Sequence, residues 1–278
     1  MPRVGFIGLG SQGGPMAHRI VDGGFPLTLW ARRPESLAPY ADTAATVAAT
    51  PAELGAASDI VGICVVADAD TEDVVLRPDG VLAGLAPGGT LVVHATVHPD
   101  TCKKIATAAT ARGVAVVDAP VSGGGPAAAE GRLLVMAGGA EADVDRCRPV
   151  FDTFANPVLH LGPLGAGQLA KLLNNFVFTA QVGMALDTFA FADELGIDRT
   201  AVAQVLAGGS GGSRAAAILA ASGFDTRGLR GAAPLLRKDV ELMRDVARTA
   251  GVWHPDVLAG LTEHALTLLT ASADASQP

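Results

Sequence analysis

Up to about residue 162, short apolar runs rich in β-branched residues alternate with Ala-rich stretches and glycine turns. Apolar runs of this length suit strands buried on both faces, and the intervening helical stretches carry the chain to the next parallel strand. The runs predict strands at 3–7, 27–30, 60–65, 90–94 and 114–119, with a further pair at 133–137 and 158–161. The fold class is therefore α/β, an N-terminal Rossmann-type doubly wound sheet over 1–162. It has right-handed crossovers and a ligand site at the carboxyl ends of its strands.

The pattern changes at Gly162-Pro163-Leu164-Gly165, and the rest of the chain reads almost entirely as helix. A C-terminal all-α domain is expected over 163–270, with a flexible tail at 271–278. Its first element, about 165–195, is apolar on most of its circumference, which only a helix covered from two sides tolerates. It reads as a long interdomain or intersubunit helix, so a homodimer or homotetramer is expected. Shorter helices are expected at 198–206, 232–250 and 255–269.

Composition narrows the picture. With 49% hydrophobic and 17% charged residues in 278, the chain can bury a sizeable core, which excludes wholesale disorder. A net charge of −8 and no run of Lys or Arg longer than two argue against a nucleic-acid partner. Cys64, Cys102 and Cys147 have no C-x-x-C spacing, so neither a disulfide framework nor a metal site is expected, and a reducing cytoplasm fits. The apolar stretch 176–192 holds Gln181 and Asp187, which favours a buried helix over a membrane span, and the N-terminus lacks a signal-peptide layout.

The segment Gly8-Leu9-Gly10-Ser11-Gln12-Gly13 is a G-x-G-x-x-G between an apolar strand and a helical run. In that setting Gly8 permits the tight turn, Gly10 lets a pyrophosphate approach the backbone, and Gly13 allows close helix packing. The alternative is an ordinary glycine turn. At the end of the second strand, where a carboxylate would hold the ribose hydroxyl of NAD, the chain reads Arg32-Arg33. Two guanidiniums suit a 2′-phosphate, which favours NADP and leaves NAD possible; otherwise both are solvated charges.

Four lysines stand against sixteen arginines, so each lysine calls for a reason. Lys171 is the sole cation between Arg148 and Arg199. Unlike Arg, a desolvated Lys can exchange a proton as a general acid or base. Helical spacing puts Gln168, Lys171 and Asn175 on one face, with Asn174 beside them. Such a stripe faces a polar ligand or forms a structural hydrogen-bonded cluster. A third segment, Asp118-Ala-Pro-Val-Ser122-Gly123-Gly124-Gly125, ends a predicted strand. Its backbone N–H groups and the Ser122 hydroxyl would make a nest for a small carboxylate, unless it is a turn alone.

Five segments in order, GLGSQGGPMA at 8–17, ATVHP at 95–99, DAPVSGG at 118–124, GAGQLAKLLNN at 165–175 and RKD at 237–239, resemble the β-hydroxyacid dehydrogenase family. That family includes 3-hydroxyisobutyrate dehydrogenases and tartronate semialdehyde (glyoxylate) reductases. The resemblance implies an NAD(P)-dependent oxidoreductase that moves a hydride between the nicotinamide and a small 3-hydroxy acid or its semialdehyde or keto form, in a cleft between the two domains. It assigns Lys171 as the catalytic acid/base, and Asn175, Ser122, Gly123 and Gly124 to the substrate. Thr96 would lie beside the nicotinamide, Lys238 on the cofactor, and Val65 and Val66 in the loop beneath it.

Departures accompany the match. Where the family reads Asp-x-Ser-Thr, this chain has Val93-His94-Ala95-Thr96, and His98 replaces a small polar residue and reads as a surface histidine. Ser213 matches a substrate-side serine, while Arg214 replaces a bulky apolar residue and is either a second anion contact or a solvent-facing charge. Imine reductases share the layout but usually replace the lysine, and Asp187 is the residue that would serve them here. A non-catalytic NADP-binding protein of the same fold would not require Lys171.

Overall fold

A computed structural model describes residues 1–252 and 256–271. The expected tail at 271–278 therefore lies outside the described residues except for Ala271, as does Pro255, the expected start of the last helix. The chain divides into two compact units, Met1–Lys171 and Leu172–Pro278.

The first unit begins β1 (Val4–Ile7), α1 (Gly13–Asp22), β2 (Leu27–Trp30), a 3-10 turn (Pro34–Tyr40), β3 (Thr46–Val47), α2 (Pro51–Ala56) and β4 (Ile60–Ile63). It continues through α3 (Asp68–Leu76), α4 (Val81–Gly84), β5 (Thr90–Val93), α5 (Pro99–Thr110), β6 (Ala115–Asp118) and β7 (Val121–Ser122). Next come α6 (Gly124–Ala129), β8 (Leu133–Ala137), α7 (Glu141–Phe151), β9 (Ala155–His160) and the long α8 (Ala166–Glu194), which runs on into the second unit.

Six parallel strands form one sheet in the order β3-β2-β1-β4-β5-β6. Every position of β1, β4 and β5 is buried, because helices cover both faces and leave no place for polar alternation. On one face Met16, Ala17 and Ile20 of α1 pack with Phe6, Phe151 and Phe154; on the other Leu54, Val75 and Ile105 pack against Ile63 and Leu91. Strand order reverses between β1 and β4, so a crevice opens beyond their carboxyl ends. The pairing of Ile7 with Ile63 sets Gly8 and Cys64 abreast there.

The strand pair expected after the main sheet forms. β8 and β9 pair in parallel, and β7 adds antiparallel to β8, as a separate three-stranded sheet joined to the end of β6 by an Asp118–Gly138 bridge. β3 and β7, two residues each, leave no periodicity to read in the sequence.

The second unit adds α9 (Arg199–Gly208), α10 (Arg214–Ala221), α11 (Arg227–Thr249) and α12 (Asp256–Thr270) to the rest of α8. Phe176 and Phe189 of α8 pack there with Leu219, Leu236, Val240 and Leu266. The other flank of α8 stays open: Leu173 is 51% exposed, Met184 54% and Phe191 60%. Among the described residues of the second unit, packing covers α8 on one side. Among the described residues no helix is long and apolar enough to cross a membrane.

Candidate active site

The glycine loop after β1 is built by missing side chains. Gly8 has φ +97°, and a Cβ on it would lie 2.2 Å from the Cys64 carbonyl oxygen. One on Gly13 would lie 2.0 Å from the Gly8 oxygen. Both are close-approach positions that only glycine fills. Over Gly10 there is no atom within 4 Å of a built Cβ, so the backbone there faces open space. Helix α1 starts at Gly13 with no side-chain cap, which leaves first-turn N–H groups for a ligand, and Leu9 and Ser11 complete the turn. The Gln12 Nε2 is buried without a hydrogen-bond partner among the described residues, an arrangement costing roughly 1–3 kcal/mol until an acceptor arrives. An open glycine backbone, an uncapped helix end and a waiting donor fit a pyrophosphate.

Beyond this loop lies a cleft of about 190 Å³ whose lining includes Gly10, Trp30, Arg32, Arg33, Val65 and Val66. Val66, just after β4, is 59% exposed at its mouth. Trp30 is fixed by donating from Nε1 to the Ala49 carbonyl at 3.2 Å and by the Arg77 guanidinium, 5.2 Å above its ring. Tyr40 closes the turn after Arg33: its hydroxyl donates to the Gly14 carbonyl at 2.7 Å, its ring stacks on His18, and burial pushes its pKa up to about 12. The side chains of Arg32 and Arg33 are 80% and 74% exposed, in ion pairs of 3.3 Å with Asp70 and 3.9 Å with Glu35. No carboxylate comes directly after β2 in sequence, yet α3 brings Asp70 and Asp73 to the same cleft, where Asp70 competes for Arg32. Asp70 stands 38 residues beyond Arg32 in the chain, so its presence was not legible beside that arginine.

The DAPVSGG segment lies directly against the glycine loop. A Cβ on Gly125 would sit 2.4 Å from the Ser11 carbonyl oxygen, so the two loops meet backbone to backbone. Gly123 and Gly124 have φ of +134° and +75°, and Ser122 ends β7 half-buried just before them. Asp118 at the end of β6 is fully buried. Its carboxylate accepts from the Gly165 and Gln168 N–H groups, both at 2.7 Å, at the start of α8. Burial raises its pKa, an effect the backbone donors oppose. Gln168, also fully buried, accepts from Val97 N–H at 3.1 Å and donates to the Ala95 carbonyl at 2.8 Å, gripping the chain on both sides of Thr96. Lys171, one turn further along α8, is 9% exposed. As a residue it is therefore buried.

In the second unit the polar residues form a network of their own. Asn174 Nδ2 donates to Asn175 Oδ1 at 3.0 Å, Asn175 Nδ2 donates to Asp239 Oδ2 at 2.6 Å, and Lys238 Nζ lies 2.9 Å from Asp239 Oδ1. Asp239, 5% exposed, ties the Asn175 and Lys238 positions together. Sequence reasoning missed it as a site residue; its one signal is its place next to Lys238 in the RKD segment. The polar stripe on α8 therefore resolves in two ways: Gln168 is spent on backbone, and Asn175 on a buried carboxylate.

Residues 3–162 match the family described as the NAD binding domain of 6-phosphogluconate dehydrogenase, and residues 165–277 the one described as NAD-binding of NADP-dependent 3-hydroxyisobutyrate dehydrogenase. The chain belongs to the 3-hydroxyisobutyrate dehydrogenase family. An uncharacterized oxidoreductase of Mycobacterium tuberculosis is 36% identical over 74% of this chain and 69% of its own length. An NAD-dependent L-serine dehydrogenase of Pseudomonas aeruginosa is 32% identical over 77% of this chain and 72% of its own. The solved structure of a Mycobacterium tuberculosis 3-hydroxyisobutyrate dehydrogenase with L-serine superposes with a TM-score of 0.83 at 26% identity, covering 97% of this chain and 92% of that one. Membership makes the protein an NAD(P)-dependent dehydrogenase acting on a CH–OH group.

Against the family pattern, the departures have structural reasons. His94 is 4% exposed, lies among Phe6, Phe151 and Phe154, and meets the Ala119 carbonyl through Nδ1 at 2.8 Å. Burial pulls its pKa down to about 4, so it is a neutral core residue. His98 is not a surface histidine: half-buried, it caps α5 by accepting from Asp100 N–H at 3.1 Å. The Ser213 hydroxyl is likewise used as a cap, accepting from Ala216 N–H at 3.1 Å, and Arg214 is exposed at the start of α10. Asp187 pairs with His264 at 2.7 Å. The three cysteines are free thiols whose pKa values burial raises.

Proposed function

We propose that this dehydrogenase oxidises small β-hydroxy carboxylates, or reduces their semialdehydes, with Lys171 as the acid/base and with NADP preferred over NAD. The observation that carries the reading is the burial of Lys171 one turn from Gln168, whose amide grips both neighbours of Thr96. L-Serine and 3-hydroxyisobutyrate, the compounds named for the relatives, share a primary alcohol one carbon from a carboxylate-bearing carbon. A short substrate of that shape needs one anion perch and one proton acceptor.

The perch is the Ser122 hydroxyl with the backbone N–H groups of Gly123 and Gly124, whose positive φ supports a nest. Asn175, held by Asp239, orients the substrate. Gly8, Leu9, Gly10, Ser11, Gln12 and Gly13 hold the pyrophosphate, Arg32 and Arg33 a 2′-phosphate, and Val65, Val66, Thr96 and Lys238 the remainder of the dinucleotide. The nicotinamide, when bound, supplies the hydride acceptor or donor. As the carbon gives up hydride, Lys171 takes the hydroxyl proton; in reduction it returns that proton to the developing alkoxide. Two copies of the chain pair over the open flank of α8 at Leu173, Met184 and Phe191.

A turnover screen of 3-hydroxyisobutyrate, L-serine, 3-hydroxypropionate and glycerate with both cofactors tests the substrate class. Activity on none of them, or only on cyclic imines, overturns it. For the cofactor, Arg32→Ala with Arg33→Ala should cut the NADP/NAD ratio of kcat/KM by about tenfold or more, and Asp70→Asn should raise it.

A further inference from the structure

We infer that Asp118 is a positioning residue: its buried carboxylate, acting through the start of α8 and Gln168, fixes the helix that bears Lys171 against the segment that bears Thr96. The inference rests on the proposed role of Lys171. A strand end and a helix start 47 residues apart are joined here by two short hydrogen bonds to one carboxylate. The space for it is purpose-built. A Cβ on Gly138 would lie 2.4 Å from Asp118 Oδ1, and one on Gly167 would lie 2.8 Å from Oδ2 and 2.2 Å from the Met136 carbonyl oxygen. Two glycines on two elements thus leave room for this one anion.

Its position at the N-terminus of a 29-residue helix satisfies donors that would otherwise have no partner and matches the positive end of the helix dipole. The next hydrogen bonds outward are those of Gln168 to Ala95 and Val97, which leave Thr96 between them. Lys171 stands on the same helical face, three residues on. The chain of contacts Asp118, Gln168, Ala95/Val97 contains no group required to touch substrate or cofactor, yet a rotation or slide of α8 would move Lys171 relative to Thr96. A capping carboxylate without this duty would bond the helix alone; here the side chain it supports also holds the other side of the site.

The test compares Asp118→Asn, Gln168→Met and Lys171→Ala in the full-length enzyme, measuring kcat, KM, the pH profile of kcat and the dinucleotide Kd by fluorescence titration. Asp118→Asn turns one acceptor into a donor facing N–H groups, and Gln168→Met cuts the link to the Thr96 segment, together with a bond to Cys102, while sparing the Asp118 carboxylate, so the second variant speaks even if the first folds poorly. Both should lower kcat about 10- to 100-fold per folded molecule while dinucleotide Kd stays within threefold, since the glycine loop is untouched. In the oxidative direction, where Lys171 acts as the base, loss of the anion should also move the acid limb of the Asp118→Asn profile to lower pH. If both variants keep kcat within twofold, or lose only folded yield with kcat per folded molecule unchanged, the inference is overturned. Turnover surviving in Lys171→Ala overturns the underlying reading instead, and that result is distinct from the other two.

Discussion

The glycine loops of the first unit and the amide-carboxylate network of the second prepare functional groups by opposite means. At Gly8, Gly13 and Gly125 what matters is the atom that is missing, because a Cβ at any of them would fall within 2.4 Å of a backbone oxygen. Around Asp239 what matters is the atoms present, a carboxylate between Asn175 and Lys238. A site built by omission is broken by adding a methyl group. A site built by side chains is broken by removing one.

The largest effect should come from the lysine proposed as the acid/base. Lys171→Ala is expected to lower kcat by ~10²–10⁴-fold with little change in dinucleotide Kd, a split that steady-state kinetics and fluorescence titration read together. An equal loss in both would mean the lysine serves the glycine loops and the contrast is false.

Next is acid sensitivity, which should belong to the first unit. His94 holds a folded-state pKa of about 4 against 6.5 for the ordinary group, so the unfolded chain takes up its proton first as pH falls. Stability present above pH 6.5 is therefore lost between 6.5 and about 4, by about 3 kcal/mol from this residue. Urea unfolding across that range should show the slope, and His94→Phe should flatten it. Hydrogen exchange should find the loosening in the sheet around Phe6 and Phe151.

Two glycines in one loop sharpen the comparison further. Gly13→Ala should cost roughly 2–3 kcal/mol of stability, seen in the thermal midpoint, because the clash is with backbone. Gly10→Ala, with no atom within 4 Å, should leave the midpoint unchanged yet weaken dinucleotide binding by about tenfold. Smallest is Asp239→Asn, which should raise KM for the hydroxy acid by about tenfold or less with a minor change in melting. A greater fall in stability than in KM would make that network structural.

This contrast explains what could be read in the chain. Glycines in fixed spacing after an apolar run declare both a turn and a ligand, so the G-x-G-x-x-G and the Ser-Gly-Gly loop were visible residue by residue. β2 and β8 match the sequence reading to the residue: β8 is five consecutive apolar positions, and β2 alternates Leu27 and Leu29 with Thr28 and Trp30, all strand-favouring residues. Asp118 and Asp239 were not assigned roles, since a lone acid becomes informative only beside partners 47 and 64 residues away. For the same reason the stripe alone leaves open whether Gln168 faces a ligand or a structural partner, and the structure bonds its amide to Ala95 and Val97. α10 went unread because eight Ala-rich residues behind a Gly/Ser run carry neither a long period nor a clear start.

Tyr40 is the only tyrosine in the chain, and it stands where the turn after Arg33 is bonded to the first turn of α1. Its phenol is therefore a built-in optical reporter on a single joint of the molecule. An alkaline absorbance titration that ionises it near the usual value for tyrosine would record that joint opening, and a ligand that clamps the joint would push the phenolate signal back toward stronger base, with no label attached.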